Sequence, residues 1–213
     1  MNKIYIFSGL GVDKRVFENI GFGDLDVEFI DWIEPLKKES LENYAKRIAQ
    51  KITSDNAVLI GLSFGGIIAV EISKIIQPKK VVLIASAKTR NELPKIYHLA
   101  GKLRLNKLIP SSLLISQNFI TDWFFGIETK SEKQLLKKIL KETNPQFLGW
   151  AINEIANWDN EFEPNNCIHI HGNKDRIIPI QNVQADFVIQ NGGHFMTVNK
   201  SKEIEEIIKQ ICE

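Results

Sequence analysis

Two cysteines in 213 residues, at 167 and 212, are too few to staple a small domain and do not stand at a metal-ligand spacing, so both are expected to be reduced thiols. Long apolar runs are also missing, since 81-VVLIA-85 falls far short of a membrane span. The opening MNKIYIFSG runs straight into a β-type pattern without an apolar leader or small-residue cleavage site, which predicts a soluble, cytoplasmic protein. Nor does one sign of charge dominate. With 27 Lys plus Arg against 26 Asp plus Glu, the net charge of +1 gives no global electrostatic reason to expect a nucleic acid partner. Phosphate loops of the G-x-x-x-x-G-K-[ST] type, G-x-G-x-x-G in a βα turn and H-E-x-x-H metal arrays are absent as well, so no cofactor or metal is expected. What remains is a globular composition, 44% hydrophobic and 25% charged, long enough to bury one sizeable core.

Within that chain the apolar patterns alternate between two periods. Short β-type runs occur at 4-IYIF-7, 25-LDVEFI-30, 57-AVLIG-61, 81-VVLIAS-86, 167-CIHIHG-172 and 186-DFVIQN-191. Helical spacing occurs at 40–52, with Ser40 as N-cap, at 64–76 and at 201–211. The solidly apolar runs suit parallel strands covered on both faces, so the expected fold is α/β, a mostly parallel sheet of about six strands covered by helices. Residues 88–160 interrupt this order with helical patterns at 97–109, 132–142 and 146–158. A crossover needs only a dozen or so residues. The excess reads as an inserted helical cap, leaving 1–87 and 161–213 as the core.

The most informative hexapeptide is 61-GLSFGG-66, where Gly61, Ser63 and Gly65 fit G-x-S-x-G between a strand and a helix. An abrupt strand-to-helix turn would hold the serine in a strained backbone, with its hydroxyl above the sheet and the Phe64 amide beside it at the helix start. A bland alternative is a glycine-rich turn that only permits close packing. A base and an orienting acid should follow in the order acid, then histidine. Among the four histidines, His98 falls in the insertion and His169 and His171 alternate along a strand, whereas His194 lies in 191-NGGHFM-196 after the last strand. Asp175 in 171-HGNKDRIIP-179 is placed to hold that ring; an Asx turn is its structural alternative, and Asp159 and Asp186 are its rivals.

Ser63 in GLSFGG, Asp175 in HGNKDRIIP and His194 in GGHF together resemble the α/β-hydrolase superfamily over nearly the whole chain. The family's His-Gly-x-Gly loop corresponds to 8-SGLG-11, with Ser8 in place of the histidine. The resemblance implies that the amides of Leu10 and Phe64 form an oxyanion hole, and it places a cap where 88–160 falls. The layout is similar to that of small capped carboxylesterases, including the pimeloyl-carrier methyl ester esterases. It also implies that the family's N-terminal antiparallel hairpin is missing, because the chain enters at what resembles the third strand.

The expected activity is therefore serine ester hydrolysis of a small to medium acyl group through Ser63, Asp175 and His194. Thioesterase or carrier-protein methyl ester esterase activity uses the same groups, and a ligand-binding protein that keeps the three residues without turnover is the alternative from another class. Phe119, Trp123, Phe124 and Trp150 are candidates for an acyl pocket, although cap aromatics also fill a cap's own core. Lys88, Arg90, Lys95, Lys102, Arg104 and Lys107, against Glu92 alone, form either a solvated basic face or a weak contact for an acidic carrier or substrate.

Overall fold

The structure, a computed structural model, describes residues 2–103 and 117–212. Six strands form one sheet: β1 (Lys3–Phe7), β2 (Asp26–Ile30), β3 (Ala57–Leu62), β4 (Lys80–Ile84), β5 (Cys167–Gly172) and β6 (Phe187–Ile189). They lie in the order β2-β1-β3-β4-β5-β6, and every pairing is parallel. Leaving β1, the chain first goes to one side as β2 and then returns to the other as β3. That reversal opens a crevice outside the carboxyl ends of β1 and β3, the place where open α/β sheets receive ligands.

The period-2 alternation of the strands builds two cores. Ile4, Ile6, Val58, Ile60, Val82 and Ile84 face one side, where they meet Ile204, Ile208 and Ile211 of the C-terminal helix α8 (Ser201–Cys212). Tyr5, Phe7, Leu59, Val81 and Leu83 face the other, under α1 (Leu41–Ala49) and α2 (Phe64–Ser73). Helix α1 is amphipathic and begins where the Ser40 side chain accepts the Asn43 amide at 3.4 Å. Helix α2 is apolar on nearly all sides, and Phe64 through Ile72 are buried. A short α7 (Met196–Asn199) precedes α8.

Between β4 and β5 come α3 (Lys95–Lys102), α4 (Phe119–Phe125), α5 (Lys130–Glu142) and α6 (Pro145–Asn157). The apolar stripe of α5, Leu136, Ile139 and Leu140, joins one core, whereas Phe147 and Ala151 of α6 join the other. The inserted helices thus straddle the carboxyl edge of the sheet. Of the helical pattern expected over 97–109, residues 97–102 lie in α3, and the part beyond Leu103 lies outside the described residues. No helix among the described residues is long and apolar enough to cross a membrane.

Aromatic packing fastens α6 to the core. Trp150 lies 4.5 Å from Tyr44, ring centre to ring centre, and donates its indole N–H to the Glu39 carbonyl at 2.9 Å. Phe147 stacks on Trp32 at 5.7 Å, and Trp32 approaches Phe64 at 5.4 Å. By contrast Phe119, on α4, is 81% exposed. Trp150→Ala should therefore lower unfolding free energy by about 3 kcal/mol in urea titrations, while Phe119→Ala should change it by less than about 0.5 kcal/mol. Equal effects would contradict this account of how the cap is held.

Candidate active site

The turn from β3 into α2 has no room for side chains at its flanks. A Cβ at Gly61 would collide with the backbone of Gly65 and Gly66, and one at Gly65 with the carbonyls of Phe7 and Ser8. Ser63 between them takes φ 51 and ψ −118, a conformation costly for a non-glycine residue. Two hydrogen bonds from β4 and its exit restrain it: the Ser63 amide donates to the Ile84 carbonyl at 2.9 Å, and the buried Ser86 hydroxyl donates to the Ser63 carbonyl at 2.6 Å.

The result is an Oγ standing over the sheet edge, 2.8 Å from Nε2 of His194. Nδ1 of the same ring is 2.7 Å from Oδ2 of Asp175. A carboxylate can only accept, so Nδ1 carries the proton and the neutral ring turns the Nε2 lone pair to the serine hydroxyl. Asp175 is itself anchored, its Oδ1 accepting the amides of Ile177 and Ile178 at 2.8 and 2.9 Å. Burial alone would raise the Asp175 carboxyl, but the facing His194 and His171 rings and the Ile178 amide outweigh it and hold the group below the usual carboxylate range. The acid therefore stays ionised throughout the range in which histidine titrates.

The rivals for the acid role lie elsewhere. Asp159 pairs with Arg90, and Asp186 accepts the His169 amide at 2.7 Å. The loop after β1 passes beside the serine, close enough that a Cβ at Gly9 would stand 3.4 Å from that of Ser63. Leu10 and Phe64, the candidate oxyanion donors, line the same cavity as Ser63 and His194. The Phe64 amide opens α2, where a helix leaves its first donors without internal acceptors.

That cavity measures about 550 Å³, and its described walls carry no charged side chain. Leu93, Tyr97 and Ala100 come from α3 and its approach, Phe125 from α4, Leu140 from α5, and Leu148, Ile152 and Ile155 from α6. The polar groups among them are engaged: the Tyr97 hydroxyl, which burial pushes up to about 12, donates to the Ile177 carbonyl at 2.8 Å. Thr121 donates to Asn118 at 3.2 Å.

None of the four aromatics expected in the pocket is among the described residues of its wall. Phe119 and Trp123 turn outward on α4, 81% and 48% exposed, Phe124 is also exposed, and Trp150 is drawn into the cluster around Tyr44. Phe125, one residue on, is the α4 aromatic that reaches the site, its ring 5.8 Å from that of His194. Of the basic stretch, Arg90 is countered by Asp159, and Arg104 and Lys107 lie outside the described residues. Cys167 and Cys212 are free thiols that burial pushes up, Cys167 to about 12, so neither is a ready nucleophile.

Against known proteins, neither a family model nor a curated protein sequence matches the chain. Solved structures do. The fold has α/β-hydrolase architecture and is related to that of solved esterases and lipases. A thermophilic esterase superposes with a TM-score of 0.69 at 17% identity, over 99% of this chain and 89% of that one. MenH from S. aureus gives 0.72 at 14% identity, over 99% and 92%, and a bromoperoxidase from Bacillus anthracis gives 0.71 at 16%, over 100% and 92%.

The buried imidazoles have a measurable consequence for stability. Burial drives His169 down from 6.5 to about 3 and also lowers His171, so the folded chain keeps both rings neutral where the unfolded chain protonates them. Stability contributed by these rings is complete above about pH 6.5 and is lost on acidification, at up to about 1.4 kcal/mol per pH unit for each proton that only the unfolded chain binds. Urea unfolding between pH 7 and 5 should show this slope, and His169→Gln should remove one proton's share of it. An unchanged slope in that variant would place the titration elsewhere.

Proposed function

We propose that this chain is a serine hydrolase, a carboxylesterase that cleaves an uncharged ester of small to medium acyl group through an acyl-enzyme. The observation that carries the reading is the relay itself: Ser63 Oγ is 2.8 Å from His194 Nε2, whose Nδ1 is 2.7 Å from Asp175, at the wall of an apolar cavity. In the proposed reaction Ser63 attacks the ester carbonyl as its proton passes to His194 Nε2. The amides of Leu10 and Phe64 receive the developing oxyanion, and the imidazolium then protonates the departing alkoxide. Water then attacks the acyl carbonyl as its proton passes to His194, and the imidazolium returns that proton to Ser63 Oγ as the acyl C–O bond breaks and the acid leaves, while Asp175 stabilises the charged ring without taking its proton. The apolar walls favour an acyl chain without charge, because a carboxylate buried there would have no partner. Thioesters fit the same chemistry and are distinguished by assay.

Fluorophosphonate should label Ser63 stoichiometrically, and Ser63→Ala should abolish labelling and reduce chromogenic ester turnover by about three orders of magnitude. Reversible ligand binding without labelling or turnover would instead favour a binding protein. Across straight-chain esters kcat/KM should rise by about fourfold per added carbon until the cavity is filled, and then fall. A flat profile from short to medium chains would remove the acyl-pocket assignment and leave Ser63 as the nucleophile.

A further inference from the structure

A second imidazole faces Asp175, and the proposed chemistry makes no use of it. His171, on β5, is fully buried, and its Nε2 is 2.8 Å from the Ile178 carbonyl and 3.6 Å from Asp175 Oδ2. A carbonyl can only accept, so Nε2 carries the hydrogen; in the neutral ring Nδ1 is then an acceptor, filled by Nε2–H of His169 at 3.0 Å. His169 is also fully buried.

These two rings occupy positions where the sheet is otherwise apolar: His169 pairs in register with Leu83 of β4, and Val81 of β4 and Leu59 of β3 beyond it belong to the same core. Two buried polar rings there cost desolvation, which one hydrogen bond to the Ile178 carbonyl partly offsets. That carbonyl belongs to the residue whose amide holds Asp175 Oδ1 at 2.9 Å. Ile178 is thus gripped by the carboxylate at its N–H and by β5 at its C=O.

We infer that His171, fixed in its tautomer by His169, is a positioning residue that registers the Asp175 carboxylate against the sheet through Ile178. The inference rests on the proposed role of Ser63, Asp175 and His194. The contact at 3.6 Å is too long for a second hydrogen bond, so Oδ2 is left to Nδ1 of His194 at 2.7 Å. A cation at that position would compete for the same oxygen.

Two amide substitutions separate this role from a general need for polarity. Gln at 171 places its amide nitrogen near the position of Nε2, within reach of Ile178, whereas Asn places it near Nδ1, facing His169 and short of Ile178. The rate constant for fluorophosphonate labelling of Ser63 should stay within about threefold of wild type for His171→Gln and fall by at least about tenfold for His171→Asn, as expected for a misplaced catalytic group. His171→Asn should also have the lower thermal midpoint, because it leaves the buried Ile178 carbonyl unpaired, so labelling is compared at a temperature well below both midpoints. Equal labelling of both would overturn the inference and leave the proposed function standing, whereas an unlabelled wild type would overturn both. Nitrogen-15 NMR of the unmodified protein decides the matter even if neither variant folds: His171 must be the Nε2–H tautomer, and an Nδ1–H signal would refute the assignment.

Discussion

The site depends first on a strained residue. Ser63 holds φ 51 and ψ −118, a conformation that costs on the order of 1–3 kcal/mol and persists only where its surroundings leave no alternative. Here the surroundings are the sheet itself. β3 is the central partner of β1 and β4, α2 is buried along its length, and β4 holds the serine through the Ile84 carbonyl and the Ser86 hydroxyl. The local cost is thus carried by the most deeply packed part of the molecule. A parallel sheet adds the second requirement, because all six strands end on the same side and the loops after β1, β3, β5 and β6 converge there without any further device.

Convergence alone would give loops in the same neighbourhood; atomic distances near 2.7 Å need ties between them. The acid loop is held from below by His171 on Ile178 and from above by the Tyr97 hydroxyl on Ile177. One residue before, Arg176 donates to the Trp123 carbonyl at 2.6 Å and stands 4.6 Å from the centre of its ring. The histidine loop is fastened to the same helix, with the Phe195 amide donating to the Phe125 carbonyl at 3.0 Å. The helices that wall the cavity are therefore the ones that hold the relay. On the proposed chemistry, a change in the cap alters both substrate fit and the placement of Asp175 and His194.

Much of this was legible in the sequence because it is written locally. Strand runs such as 57-AVLIG-61 carry their own period, and the elbow, the acid turn and the histidine loop are each a short string with glycine or proline at a position the backbone demands. Helix α4 was not legible: at seven residues, Phe119–Phe125 is too short for a helical period to stand out, and its boundaries are set by the Asn118 cap and by Gly126 at φ 70. The cap aromatics misled for a related reason. Composition locates them in the cap but not on a face, and Trp150 is claimed by Tyr44 of α1, Phe64 of α2 and Phe147 of its own helix. The His169 and His171 pair reads in sequence as two residues alternating along a strand, and only the return of the chain at Ile178 gives the second ring a carbonyl to hold.

Structures carrying names as different as esterase and bromoperoxidase share this backbone at identities of 17% and 16%, so the arrangement of strands does not choose a reaction. What differs from one such protein to another must lie in the groups that face the reacting atoms. In this chain those groups are few and already committed: Tyr97 and Thr121 have partners, the described walls carry no charge, and the remaining polar side chains there are those of Ser63 and His194. An apolar wall binds by area and discriminates weakly between acyl groups that differ by one methylene, at roughly 0.8 kcal/mol each. Selectivity in such a site is consequently graded by length and shape. Sharper discrimination requires a polar group that an incorrect substrate leaves unpaired, and the described part of this cavity offers none beyond those the proposed reaction already employs.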